Sequence, residues 1–151
     1  MKLTALDLFC GCGGTTVGLK LAGFDVLCAI DNAGHPLKVF KANHPEVPIR
    51  HEDIRQINCQ DLMFELSLDK GDLDLLAGCP PCQGFSSMRT KNGKLQITDE
   101  RNDLIDDFFR FVKAFVPKTV MLENVPGLKD TSKFASFVAE MEALGYQVDF
   151  V

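Results

Sequence analysis

Two cysteines bracketing two prolines, Cys79-Pro80-Pro81-Cys82, stand where an apolar run ends, within LLAGCPPCQGFS, Leu75 to Ser86. Three chemistries use thiols placed in this way. A dithiol redox centre needs both sulfurs and expects a helix directly behind them, which this segment does not offer. A zinc site needs four donors, and Cys10-x-Cys12 can join the pair at a spacing shorter than the common zinc knuckles. A nucleophile needs one thiol on a stiffened backbone, and Pro81 ahead of Cys82 stiffens it. The surrounding prolines, glycines and polar residues do not suit a cysteine that merely fills a core. The nucleophile fits the segment best, and the other two chemistries stay open.

Glu123 is the second reactive group, opening Glu123-Asn124-Val125-Pro126-Gly127 at the end of another apolar run. Burial there would raise its pKa and keep a proton on it near neutral pH. Pairing with Lys118 is the alternative. Near the N-terminus, Gly11, Gly13 and Gly14 lie between an apolar run and a helical pattern, where a missing Cβ lets backbone approach a ligand. Thr16 stands where a dinucleotide loop would carry its last glycine, which weakens that reading. Asp31 lies twenty residues after Gly11, the place for a carboxylate that accepts from ribose hydroxyls, although a solvated aspartate would look the same. Asp53 is placed to take an adenine amino group with Ile54 against the ring, or else to sit in a solvated turn. Between Ser86 and Asn102 the chain is polar and carries Arg89, Lys91 and Lys94. Such a loop beside a nucleophile reads as a lid whose cations meet phosphates, or as a solvated loop.

These residues need elements to hold them, and the hydrophobic pattern supplies alternating strands and helices, the mark of an α/β chain on a mostly parallel sheet. Strands are expected at Leu3 to Phe9, Asp25 to Ile30, around Pro48 and Ile49, Leu73 to Ala77, Thr119 to Leu122 and Gln147 to Val151. Helices are expected at Thr15 to Leu21, Pro36 to Ala42, Asp61 to Leu66, from Leu104 to Phe115, and Lys133 to Leu144. In such sheets ligands bind beyond the carboxyl ends of the strands, which gathers all the residues above at one end.

At 151 residues the chain suits one domain, with ~68–70% of the unfolded surface hidden on folding. Six cysteines without a secretory segment argue for reduced thiols rather than a disulfide framework. The formal charge of −5 excludes a surface basic all over but not a local basic loop. No apolar run approaches the ~18 residues of a membrane span, so no membrane partner and a cytoplasmic location are expected. The chain ends on apolar strand residues, which reads as a cut from something longer.

Taken in order, DLFCGCGG (Asp7 to Gly14), IDN (Ile30 to Asn32), EDI (Glu52 to Ile54), GCPPCQGFS (Gly78 to Ser86) and ENVPG (Glu123 to Gly127) resemble the motifs of the DNA (cytosine-5) methyltransferase family, in its bacterial modification-methylase form. DERNDL (Asp99 to Leu104) resembles the segment that opens the helix after that family's catalytic loop. The resemblance covers nearly the whole chain, and five motifs in register are far more specific than any one. It implies a Rossmann-like S-adenosylmethionine-dependent methyltransferase fold with helices on both faces of the sheet, truncated after about the sixth strand. Residues 1–151 would then be the cofactor-binding and catalytic part, without the target-recognition region and C-terminal motifs, and inactive or nearly so alone.

Carried across, the resemblance assigns Phe9, Gly11, Gly13 and Gly14 to the methionine end of S-adenosyl-L-methionine, and Asp31 with Asn32 beside it to the ribose. Asp53 and Ile54 go to the adenine and Leu104 to a further cofactor contact. Asn32 stands where the family often has an aromatic ring. Cys82, aimed by Pro81, becomes the nucleophile that adds to cytosine C6. Glu123, with Asn124, faces the ring, and Cys79 and Cys10 become bystanders. Gln83, Ser86, Arg89, Lys91 and Lys94 would contact double-stranded DNA while the base is flipped out. No metal is implied, and a cognate restriction endonuclease is a possible partner. A tRNA-methylating branch shares the PPCQ and Glu-Asn-Val motifs, and a non-catalytic S-adenosylmethionine-binding domain is the reading from another class.

Overall fold

The computed structural model describes residues 2–81 and 104–150. Strands β1 (Thr4–Leu8), β2 (Asp25–Asp31), β3 (Ile49–His51), β4 (Leu75–Gly78) and β5 (Thr119–Leu122) form one parallel sheet in the order β3-β2-β1-β4-β5. Helices α1 (Gly14–Leu21), α2 (Gly34–Asn43), α3 (Cys59–Glu65), α4 (Leu104–Phe115) and α5 (Ser132–Ala143) connect and cover it. Helices on both faces favour apolar middle strands, and β4 is buried at every position. That continuous burial explains why β4 reads as an unbroken apolar run.

Two cores flank the sheet. Phe40 and Leu37 of α2 and Leu19 of α1 pack on Ala5, Ala29 and Ala77, where small strand residues let the helices approach. On the other face the apolar stripe of α4 buries Phe108, Phe111, Val112 and Phe115 completely. Phe109 meets Phe137 of α5 edge-on at 5.7 Å between ring centres. Strand order reverses between β1 and β4, because β1 pairs with β2 on one side and β4 on the other. The crevice beyond those two carboxyl ends is where such sheets take ligands.

The sequence places a sixth strand at Gln147 to Val151, and the structure corrects this: its described residues, 147–150, are irregular. Tyr146 and Val148 do pack against the core, and the Tyr146 hydroxyl donates to Pro117 O at 2.6 Å. A strand also needs a ladder, and no ladder joins residues 147–150 to β5. Both line a groove of about 430 Å³ instead. The remaining expected elements form, with ends shifted by two residues at most. Asn58 explains the two-residue shift at the start of α3, since its side chain accepts from Gln60 N and Asp61 N and so starts that helix at Cys59. Cys82, Gln83, Ser86, Arg89, Lys91 and Lys94 lie outside the described residues.

Gly78 closes β4 against α4. A Cβ built there would stand 2.6 Å from Phe108 Cε2 and 2.8 Å from Cδ2, on a ring that is itself fully buried. Gly78→Ala is therefore expected to destabilise the fold by about 1–3 kcal/mol, read as a lower urea midpoint at unchanged slope. An unchanged midpoint would show that α4 is free to shift.

Candidate active site

The first chain reversal is built around glycine. After β1, Phe9 adopts a left-handed φ of 61°, unusual for an aromatic residue, and Gly13 follows at 98°. At Gly13 a side chain is also excluded by space, since its Cβ would come within 2.7 Å of the buried His44 ring. Gly14 differs, because a Cβ there would meet nothing within 4 Å among the described residues. Its bareness leaves room above the turn among these residues, as a cradle for a ligand would require.

Gly13 caps α1 without a side chain, and the missing cap comes from elsewhere. Asp7 of β1 reaches up to Thr16 in the first turn, accepting from Thr16 Oγ1 at 2.5 Å and from its backbone N–H. Asp7 is fully buried, and its other oxygen, Oδ1, has no hydrogen-bond partner among the described residues. Burial raises its pKa to about 6, the Thr16 hydrogen bonds working against that rise and Asp31 adding to it.

Asp31, at the end of β2, ties the glycine turn to the next helix. Its Oδ2 accepts from Gly11 N at 2.9 Å and its Oδ1 from Ala33 N at 2.8 Å. A carboxylate has about four acceptor sites, so it retains capacity for ribose hydroxyls. Asp53 caps the short 3-10 turn Ile54–Gln56 by accepting from Arg55 N at 3.0 Å. The Arg55 guanidinium also grips it, Nη2 lying 2.6 Å from Oδ2, and this hydrogen bonding holds the Asp53 pKa down at about 2. Asp53 thus stays an acceptor at any working pH.

These groups meet. A cleft of about 460 Å³, within the ~300–1,000 Å³ usual for small-molecule sites, is lined by Phe9, Asp31, Asn32, Asp53, Ile54 and Leu104. All six are residues that the sequence nominates for the cofactor. Pro81 and Cys79 line it too. Sequence reasoning missed Arg55, another lining residue, whose signal was a cation two places after a capping aspartate, and Asp7, whose partner lies in the next element.

At the β4 and β5 ends, Asn124 Nδ2 donates to Pro80 O at 3.1 Å and thereby holds the backbone two residues before Cys82. Glu123 N donates to Gly78 O at 3.0 Å. The expectation that Glu123 is buried is corrected, because its side chain is exposed one step beyond an edge strand. Nor does it pair with Lys118, which bonds Asp74 at 2.7 Å. The Cys79 thiol meets Thr15 Oγ1 at 3.4 Å, and burial of that thiol, with the nearby Glu123 charge adding to it, raises the Cys79 pKa. A reactive thiolate wants an electropositive surrounding, and Cys79 has the opposite. Burial likewise pushes the Cys10 thiol up. Among the described residues, no three His, Cys, Asp or Glu side chains gather as a metal would require.

The profile of C-5 cytosine-specific DNA methylases matches residues 3–151. The chain belongs to the C-5 cytosine-specific DNA methylase family. Within it, the chain is 38% identical to the type II methyltransferase M.AgeI of Thalassovita gelatinovora over 152 residues, covering 99% of this chain and 34% of the relative. It is 38% identical to M.DdeI of Desulfomicrobium norvegicum, covering 97% of this chain and 35% of the relative. A crystal structure of a DNA modification methyltransferase encoded within an E. coli prophage superposes with a TM-score of 0.74 at 32% identity, covering 94% of this chain and 37% of that one. This methylase chain therefore spans about a third of the length of these relatives. No helix among its described residues is long and apolar enough to cross a membrane.

The Asp7 geometry gives a pH test. A carboxyl whose folded pKa exceeds its unfolded value costs the folded state nothing below about 3.8 and progressively more as pH rises towards about 6. The full penalty is about 3 kcal/mol and persists at higher pH. Asp7→Asn keeps an acceptor for Thr16 without the charge. Its stability relative to the parent should rise by about 2–3 kcal/mol between pH 4 and pH 7, measured by urea unfolding. A difference independent of pH would contradict the buried charge.

Proposed function

We propose that this chain forms the cofactor-binding and catalytic part of an enzyme that methylates C5 of cytosine in DNA, using S-adenosyl-L-methionine. The observation that carries the reading is that Pro81, which precedes Cys82, lines the same cleft as Asp31, Asp53 and Ile54. A nucleoside-binding set and a nucleophile-bearing strand end then share one crevice at the point where the sheet reverses.

The residues suit the cofactor by their chemistry. Asp31 keeps lone pairs for ribose hydroxyls, the Asp53 carboxylate accepts from an amino group, and Ile54 and Leu104 offer apolar walls to a ring. Gly14 leaves space for the methionine end. When bound there, S-adenosylmethionine would supply an electrophilic methyl group for C5. Asn32 follows the ribose acid and gives no ring to stack on the adenine.

Cys82 performs the step that activates the base. Its thiolate adds to C6 of a cytosine flipped from the duplex, making C5 electron-rich, and departs once the C5 proton is lost. Glu123, exposed in this chain and beside the strand end that leads to Cys82, faces N3 of the ring and stabilises the charge moved into it. Asn124 fixes the Pro80 carbonyl and so the approach of the segment carrying Cys82. Gln83, Ser86, Arg89, Lys91 and Lys94 are the residues assigned to DNA contact. The partners are double-stranded DNA and, in a restriction-modification setting, a cognate endonuclease, with the enzyme working in the cytoplasm.

The test is trapping. The complete protein incubated with S-adenosylmethionine and a duplex carrying 5-fluorocytosine should form a covalent complex attached through Cys82, mapped by mass spectrometry. Cys82→Ser should lower methyl transfer by on the order of 10³-fold or more, and Cys79→Ser should spare it. Attachment through Cys79, or equal loss in both variants, would overturn the assignment. Preferential transfer to tRNA over duplex DNA would move the substrate to RNA.

A further inference from the structure

One wall of the cleft has little support of its own. The turn carrying Asp53 and Ile54 is only three residues of 3-10 helix, Ile54–Gln56, between the three-residue strand β3 and the start of α3. So short a segment is not rigid by itself. Its support arrives from α4, more than fifty residues further along the chain. Arg110 Nη2 donates to Ile54 O at 2.6 Å, and its Nη1 donates to Ile57 O at 2.8 Å and lies 3.2 Å from Cys59 Sγ. One planar guanidinium therefore grips the turn at both ends. Asp107, one turn earlier on the helix, lies 3.6 Å from Arg110 Nε, and the Arg110 guanidinium carbon lies 5.1 Å from the Phe111 ring centre. The fork is thus oriented from its own helix.

The same helix begins at Leu104, another wall of the cleft. Six residues of helix separate Leu104 from Arg110, about 9 Å of rise, and the buried Phe108, Phe111 and Val112 seat that helix on the sheet. We propose that Arg110 is a positioning residue for the nucleoside end of the cleft, fixing Asp53 and Ile54 relative to Leu104 through its two carbonyl hydrogen bonds. The assignment rests on the reading of the cleft as the S-adenosylmethionine site. Lysine cannot replace the fork, because a single ammonium lacks the planar pair of donors that spans both carbonyls.

Calorimetric titration of the complete protein with S-adenosylhomocysteine and S-inosylhomocysteine tests it. The parent should prefer the adenosyl compound, whose amino group Asp53 accepts. Arg110→Met should weaken adenosyl binding about tenfold, by the loss of one to two charge-assisted hydrogen bonds that hold the turn, and should shrink the adenosyl preference. Arg110→Lys should fall between. Val112→Ala loosens the same helix from its core side, and at a matched drop in melting temperature it should keep both affinity and preference. A parent that discriminates while Arg110→Met discriminates equally well removes the Arg110 assignment alone. A parent that binds neither compound removes the cofactor reading and this assignment with it.

Discussion

The two backbone hydrogen bonds accepted by Asp31 are the constraint on which the cleft depends. One carboxylate oxygen holds Gly11 N and the other Ala33 N, so the turn after β1 and the entry to α2 are fixed to the same side chain. The turn is not self-supporting, since it carries Phe9 in a left-handed conformation and a glycine cap without a side-chain bond. Charge-assisted hydrogen bonds to a carboxylate are among the stronger ones available, and here they span neighbouring parallel strands. The residue that the sequence suggests for a ligand is therefore also part of the frame around it.

Around that clamp the fold distributes support so that each weak piece is held from another element. Asp7 on β1 caps α1, His44 fills the space beneath Gly13, Asn124 after β5 holds Pro80 after β4, and Arg110 on α4 holds the turn of Asp53. A cleft at the strand ends has to be made of loops, because the strands stop there. Loops become precise only when neighbouring elements satisfy their backbone groups. The parallel sheet provides this by bringing the carboxyl ends of all five strands to one edge.

Much of this arrangement was legible in the residues themselves. Strand β4 is buried at every position and so stands out as an unbroken apolar run, which places the residues that follow it at the crevice. Six of the nine cofactor residues named from motifs line one cleft, and Gly11, Gly13 and Gly14 are not among its walls. What could not be read were the relations set by packing. Glu123 looked buried because it ends an apolar strand, but β5 is an edge strand and leaves it exposed. Gln147 to Val151 has the composition of a strand, yet composition does not provide a partner edge. Arg110 reads as an ordinary helix cation, for its carbonyl acceptors lie 53 and 56 residues away and leave no local pattern.

The most direct measurement is the affinity of the complete protein for S-adenosylhomocysteine when Asp31 is changed in steps. Asparagine retains one acceptor oxygen and alanine none, so binding should weaken from parent to Asp31→Asn and further to Asp31→Ala, by about tenfold or more overall. Equal affinity in all three proteins would contradict the claim that this carboxylate holds the cleft together.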